Sequence, residues 1–250
     1  SIPTALFTDA ELRTLEDATA EYTRRTADLP PAIEKRELER LIIEFSWKSS
    51  KIEGNTYTLL DTEKLILENK EAAGHDHKET QMILNHKDAF IFVRENAPIF
   101  RTVSRASVEQ LHSILVKNLD VHSGLRERPV GVVGSAYQPL DNVHQIREGM
   151  DTLLAMVART ASPYAKALLA LLSVSYLQPF EDGNKRTARL LANGILLAHG
   201  CAPLSYRNVE ENDYREATLV FYEINSIVPF KTIFVSQYDF AARNYAVKGV

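Results

Sequence analysis

Residues 178–189 read Gln178-Pro179-Phe180-Glu181-Asp182-Gly183-Asn184-Lys185-Arg186-Thr187-Ala188-Arg189, a polar stretch between two apolar helical segments, Tyr164 to Leu177 and Asn184 to His199. Gly183 admits a positive φ, and Asn184 reads as the cap of the helix that follows. Successive N–H groups would then converge on one point at a helix N-terminus. Such a point attracts an anion. Arg186 and Arg189 are three residues apart, so they share a helix face near that end. Cations there oppose the helix dipole unless a polyphosphate or carboxylate supplies compensating charge, and guanidinium groups bind both bidentately. Asp182 becomes a hard oxygen ligand for a magnesium ion shared with the phosphates. Asp-Gly-Asn alone is ordinary turn chemistry; the longer pattern is what points to a site.

Outward from this loop, most of the chain carries helical periodicity with start and stop signals, so the fold reads as mainly α. Thr8 and Glu11 form a capping-box pattern that opens a helix to about Arg25. Pro31 opens another, with Leu38, Leu41, Ile42 and Phe45 at helical spacing, running close to Gly54. Further helices are expected from Asp61 to Asn69 and from Lys78 to Asn96, and Ser107 with Gln110 reads as the cap of a segment reaching Leu119. Beyond these, Asn142 to Thr160, Asn212 to Asn225 and Pro229 to Tyr245 are helical. The one β candidate is Pro129 to Tyr137, where Val130, Val132, Val133 and Gly134 followed by a turn region read as a small hairpin.

Composition bounds the partners. The chain has 250 residues, 45% of them hydrophobic, and a net charge of −4. With a pI near 6.0 it has no global basic field, which speaks against nucleic acid and makes any phosphate site local. The single Cys201 excludes an internal disulfide framework and reads as a small buried hydrophobe. The longest apolar run, Ala167 to Leu177, is about half a bilayer span, so no membrane partner is expected and the protein reads as cytoplasmic. The Ser1 start and the lack of an apolar signal segment read as a chain trimmed or tagged at its N-terminus.

The stretch 178–189 resembles the signature of the Fic family, His-Pro-Phe-x-Asp/Glu-Gly-Asn-Gly/Lys-Arg-x-x-Arg, matching it at Pro179, Phe180, Asp182, Gly183, Asn184, Lys185, Arg186 and Arg189. Gln178 stands where that family has histidine. The resemblance implies a Fic-type helical bundle with one small β-hairpin flap. An N-terminal helical region, 1–100, would carry an inhibitory helix at about 36–54, followed by a core, 101–250, with the flap at about 129–139. It implies AMP transfer from ATP, with Mg2+, to a Ser, Thr or Tyr hydroxyl of a target protein. Asp182 would be the metal ligand, and Gly183, Asn184 and Lys185 the nucleotide loop. Arg186 would contact the β-phosphate during catalysis, Arg189 the γ-phosphate, and Phe180 would anchor the loop in the core.

A second stretch, Ser49-Ser50-Lys51-Ile52-Glu53-Gly54-Asn55, resembles the family's inhibitory Ser/Thr-x-x-x-Glu-Gly/Asn motif. Glu53 falls at a helix C-terminus, where the dipole disfavours negative charge, so it needs a cationic partner. The family's partner is Arg189. The segment holding Val132, Val133 and Gly134 corresponds to the flap, which adds an extended target segment as an extra strand. Gly124, Leu125 and Arg126 resemble the approach to that flap, and Leu111 and His112 the helix before it. Tyr214, Tyr222 and Asn225 are candidates for an adenine pocket, with core packing as their other reading.

A general base must accept a proton near neutral pH, and a Gln carboxamide does not. No other histidine lies in the loop. The resemblance therefore implies an adenylyltransferase scaffold autoinhibited by Glu53 and inactive or strongly impaired at Gln178. Gln178 is read either as natural, in a degenerate member, or as a substitution introduced to trap a complex. The alternative function is a noncatalytic nucleotide- or protein-binding module, and homo-oligomer formation stays open.

Overall fold

Residues 6–250 are described by a computed structural model, and among them the chain forms ten α-helices and one short 3-10 turn. The helices are α1 (Asp9–Thr26), α2 (Pro31–Ile52), α3 (Leu59–Glu68), α4 (His77–Glu95), α5 (Arg105–Leu115), α6 (Val143–Arg159), α7 (Pro163–Leu177), α8 (Asn184–Ala198), α9 (Glu211–Ile224) and α10 (Val228–Asn244), with the 3-10 turn at Ala97–Arg101. Local chemistry accounts for most starts. Thr8 and Glu11 close the expected capping box on α1, and Asp76 with Glu79 does the same for α4. Pro31 opens α2 at a position that needs no N–H donor.

The centre of the molecule is the α7–α8 pair. Leu168, Leu171 and Val174 of α7 and Leu190, Leu191, Ile195 and Leu196 of α8 are fully buried, each contributing roughly 1.5–3 kcal/mol by leaving water. Almost all of α8 is buried, so neighbours cover it on every side: α7, then α4, α5 and the 3-10 turn, with α2 crossing near its start. Gly194 makes the closest of these approaches possible. A Cβ there would stand 2.7 Å from the Phe100 ring. The apolar core continues through α1 and α10. No helix among the described residues is long and apolar enough to cross a membrane.

Two expectations are corrected. The helix α5 starts at Arg105, because Ser104 and Ser107 form the capping box and leave Ser107 inside the first turn. It stops at Leu115, and Asn118 and Asp120 beyond it are left-handed, which ends any continuation to Leu119. The β-hairpin at 129–139 is not formed, and there is no strand among the described residues. Side chains take backbone groups at the segment's ends and beyond its tip. The Arg126 guanidinium donates to the carbonyls of Arg128 and Leu140, and Glu223 accepts the Ala136 N–H at 2.8 Å. The Tyr137 N–H goes to Ser135 Oγ. What remains is an irregular flap segment with Val133 98% exposed.

Candidate active site

The loop begins where α7 ends. Gln178 closes that helix in the left-handed region, at φ 49° and ψ 57°, a conformation that costs a non-glycine residue about 1 kcal/mol. Its side chain turns inward. Nε2 donates to the Ser175 carbonyl at 2.6 Å and reaches the Tyr222 hydroxyl at 3.4 Å, while Oε1 accepts from Asn184 Nδ2 at 3.0 Å. Asn184 does not cap α8 as expected. Gly183 holds the cap position with φ 78°, and Asn184, the first helical residue, reaches back to brace the loop. Its Oδ1 accepts the Phe180 N–H at 2.9 Å and its Nδ2 donates to the Phe180 carbonyl at 2.8 Å.

Phe180 is fully buried and stacks on His112 of α5, with ring centroids 3.7 Å apart and planes 6° from parallel. His112 Nε2 donates to the Asp182 carbonyl at 2.9 Å, which leaves Nδ1 buried without a partner. Burial, helped by the Arg186 charge, pushes the imidazole pKa down to about 4. It is therefore neutral near pH 7. His112 supports the loop from below.

The first turn of α8 leaves its N–H groups without acceptors inside the helix, and two buried guanidinium groups stand beside it. Arg186 is 2% exposed and donates to Asp182 Oδ2 at 3.1 Å, while its Nη1 is buried and unpartnered. Arg189 is fully buried. Its Nε donates to Ser49 Oγ and its Nη2 to the Ser49 carbonyl, both at 2.9 Å. The same Nη2 holds Glu53 Oε1 at 2.9 Å, and Arg189 Nη1 is again unpartnered. The sequence motif of α2 thus meets the loop of α8 at this residue.

Glu53 is the last-turn cap of α2, and Gly54 turns the chain away with φ 97°. The carboxylate is held twice, by Arg189 on Oε1 and by Lys185 Nζ on Oε2 at 3.4 Å. Burial alone would raise its pKa, but the Arg189, Lys185 and Arg186 charges outweigh burial and keep it below the ordinary value. Burial works against the Arg189 charge, but Tyr214 and Glu53 outweigh it and raise its pKa. Both members of the pair are charged.

Two cavities meet at Glu53 and Lys185, which line both. One, of about 200 Å³, lies over Gln178, Asp182 to Arg186 and Glu53, with Val130 to Val133 as its roof. The other, of about 390 Å³ and more apolar, lies between Tyr214, Thr218 and Tyr222 of α9 and the same Val132, Val133, Lys185 and Glu53. Gly134 follows the roof at φ 82°. Tyr214 packs against Phe230 and faces the Arg189 guanidinium at 5.3 Å, and the Tyr222 hydroxyl donates to the Ser175 carbonyl. Both therefore do core packing and line the cavity. Asn225 does neither here: it caps α9 with φ 55° and lines a separate cavity of about 650 Å³ beside α6 and α7.

Three residues gain weight only from the structure. Arg215 donates two hydrogen bonds to the Ile52 carbonyl, fixing the α2 terminus beside the larger cavity. Glu223 holds the flap tip, and Arg126 holds its base. Arg215 and Glu223 act on backbone groups far away in the sequence, so no local pattern marks them; Arg126, which the sequence marks only as part of the approach to the flap, reaches both flap ends and the loop.

Residues 102–196 match the model of the Fic/DOC family. The protein adenylyltransferase Fic of Nematostella vectensis is 28% identical over 188 residues, covering 73% of this chain and 44% of the relative. The chain thus spans less than half the length of that curated relative. Among solved structures, Fic-1 from C. elegans superposes with a TM-score of 0.79 at 20% identity, over 94% of this chain and 71% of that one. A Fic family protein from Desulfovibrio desulfuricans gives 0.75 at 23% identity, over 96% and 75%. These superpositions show the fold.

Proposed function

The chain carries a Fic/DOC domain, and on that premise we propose that it is a protein adenylyltransferase scaffold whose nucleotide cavity is closed by Glu53 and whose general base is missing at Gln178. One observation carries the reading. Two buried guanidinium groups at the start of α8 each keep one nitrogen unpartnered, and one of the two is occupied by a carboxylate from a distant helix. A polyphosphate would satisfy both groups, and a carboxylate already on Arg189 would compete with it.

ATP is the proposed substrate. Its phosphates would lie on the Gly183 turn and the first N–H groups of α8, with Arg186 and Arg189 along the chain of phosphates. Its base would occupy the larger cavity beside Tyr214 and Tyr222. The residues also fit magnesium. Asp182 presents a side chain that is 65% exposed at the lip of the cavity, and among the described residues no cluster of three or more His, Cys, Asp or Glu forms a protein-only metal cage. One carboxylate together with substrate phosphates is the usual share for this ion, which when bound neutralises phosphate charge. Asp182 would then exchange its contact with Arg186 for the metal and free that guanidinium for phosphate.

The proposed acceptor is a hydroxyl on a target protein, held under the flap. Residues 130–133 are not in a ladder and roof the cavity, which suits the addition of an extended target segment. At the point where the hydroxyl proton would leave, Gln178 offers an amide whose oxygen already accepts from Asn184. No proton acceptor remains there. Loss of a positioned base typically lowers the rate by about 10² to 10⁴. The same side chain favours a second reading: because Gln178 is hydrogen-bonded at both ends and completes the loop, the domain suits binding without transfer.

Labelled ATP and magnesium with Gln178→His, alone and combined with Glu53→Gly, separate the two. Label on the protein itself or on lysate proteins in the double variant supports the enzyme scaffold. Absence of label in both folded variants moves the assignment to the binding module.

A further inference from the structure

The flap segment has no ladder and no helix, yet it forms one wall of the anion cavity, so something outside it must set its height above the loop. Arg126 is the residue placed to do so. Its side chain is fully buried. Nε donates to the Gln178 carbonyl at 2.6 Å, at the start of the loop; Nη1 donates to the Arg128 carbonyl at 3.0 Å, where the flap begins; and Nη2 donates to the Leu140 carbonyl, where it ends. Its own backbone N–H donates to the Pro179 carbonyl at 3.0 Å.

We propose that Arg126 is a positioning residue that ties both ends of the flap to the phosphate loop and so fixes the separation of the two walls of the cavity. The planar guanidinium fork suits this because it offers donors in several fixed directions from one centre, whereas a lysine ammonium reaches fewer separated acceptors with less preset geometry. No carboxylate forms a salt bridge with Arg126 among the described residues; its acceptors are backbone carbonyls from three stretches of chain. Burial lowers its pKa, with Tyr137 and Asp141 opposing that trend. A buried charge held only by carbonyl dipoles is a costly way to gain stability compared with an apolar side chain of similar size. It is an effective way to hold three pieces of backbone in register. A second tether joins the flap to α7, where Tyr137 stacks on Tyr176 at 4.2 Å and donates to its carbonyl. At the tip, Glu223 holds only Ser135 and Ala136, and in an exposed setting.

The inference holds whatever occupies the cavity, so the test reads backbone protection rather than activity. Hydrogen–deuterium exchange is followed in the parent chain, Arg126→Met, Arg126→Lys and Glu223→Gln. Arg126→Met is expected to speed exchange by about tenfold or more at the bonded N–H groups of the two segments, Ser135, Ala136 and Tyr137 in the flap and Gln178 and Phe180 in the loop, the scale set by losing one or two buried hydrogen bonds, while the interiors of α7 and α8 keep their protection. Arg126→Lys should restore part of that protection, and Glu223→Gln should affect 134–137 alone. Unchanged exchange at 128–140 in Arg126→Met overturns the proposal, as does a uniform rise that includes α7 and α8. If the methionine variant does not fold, Arg126→Lys decides in the same way: a rise confined to the flap and loop supports the tie, and no rise or a general one refutes it.

Discussion

The loop at 178–184 and the flap at 128–140 are both irregular, and they face each other across one cavity, yet they are held by opposite means. The loop closes on itself. Gln178, Phe180 and Asn184 exchange three hydrogen bonds within the loop, and Gln178 Nε2 adds one to the Ser175 carbonyl in the last turn of α7. Within itself the flap makes only the bonds from the Ser135 N–H to the Val132 carbonyl at 3.2 Å and from the Tyr137 N–H to Ser135 Oγ at 3.0 Å, and it otherwise depends on Arg126, Glu223 and Tyr176. A loop braced from within, with Arg126 and His112 taking its outer carbonyls, can be rigid and hold a fixed shape for the proposed anion. A flap braced from outside can change height without unfolding anything else, which suits a wall that must admit a substrate.

Breaking the loop from within should have the largest effect. Asn184→Ala would leave the Phe180 N–H and carbonyl and Gln178 Oε1 unanswered in a buried setting, with an expected loss of about 3 to 4 kcal/mol in denaturant unfolding. Acid should act on the same element. His112 titrates near 4 in the folded chain against an ordinary 6.5, so the folded state binds fewer protons. Its contribution is fully present above pH 6.5 and is lost as pH falls toward 4, a decline of about 3 kcal/mol that His112→Phe should flatten in a stability–pH series.

A scaffold change that touches neither region comes next. Gly194→Ala would drive a Cβ to within 2.7 Å of Phe100 and is expected to destabilise by about 2 kcal/mol, lowering the melting temperature without altering flap exchange. The smallest effect belongs to the flap roof. Val133→Ala, at a side chain 98% exposed, should change stability by less than about 0.5 kcal/mol in the same unfolding assay. A large loss there would mean that the flap carries more of the fold than its contacts indicate.

The same contrast explains what could be read from the sequence. The helical architecture was legible because caps such as Thr8 with Glu11 and breakers such as Pro31 act within one turn. The loop at 178–189 is legible as a candidate site because its polar residues are consecutive. Even there Asn184 was misplaced: an Asn beside Gly looks like a cap, and only the fold reveals that Gly183 takes the cap and Asn184 turns back to Phe180. Ser107 misled in a similar way, since Ser104 three residues earlier competes for the same box. The flap read as a hairpin because Val130 and Val132 alternate, but alternation says nothing about whether a side chain from position 126 or 223 has taken backbone acceptors and donors there. Asn225 lines another cavity because it is the left-handed residue that ends α9, and proximity to Tyr222 in sequence says nothing about which way the chain leaves that helix.

In the proposed autoinhibition, Glu53 stands in the place of a phosphate on Arg189. Calorimetric titration of ATP with magnesium into the parent chain and into Glu53→Gly tests this most directly. Removing the competing carboxylate should strengthen binding by about tenfold to a hundredfold, the range of one charge-assisted hydrogen bond; equal affinity in the two proteins would contradict it.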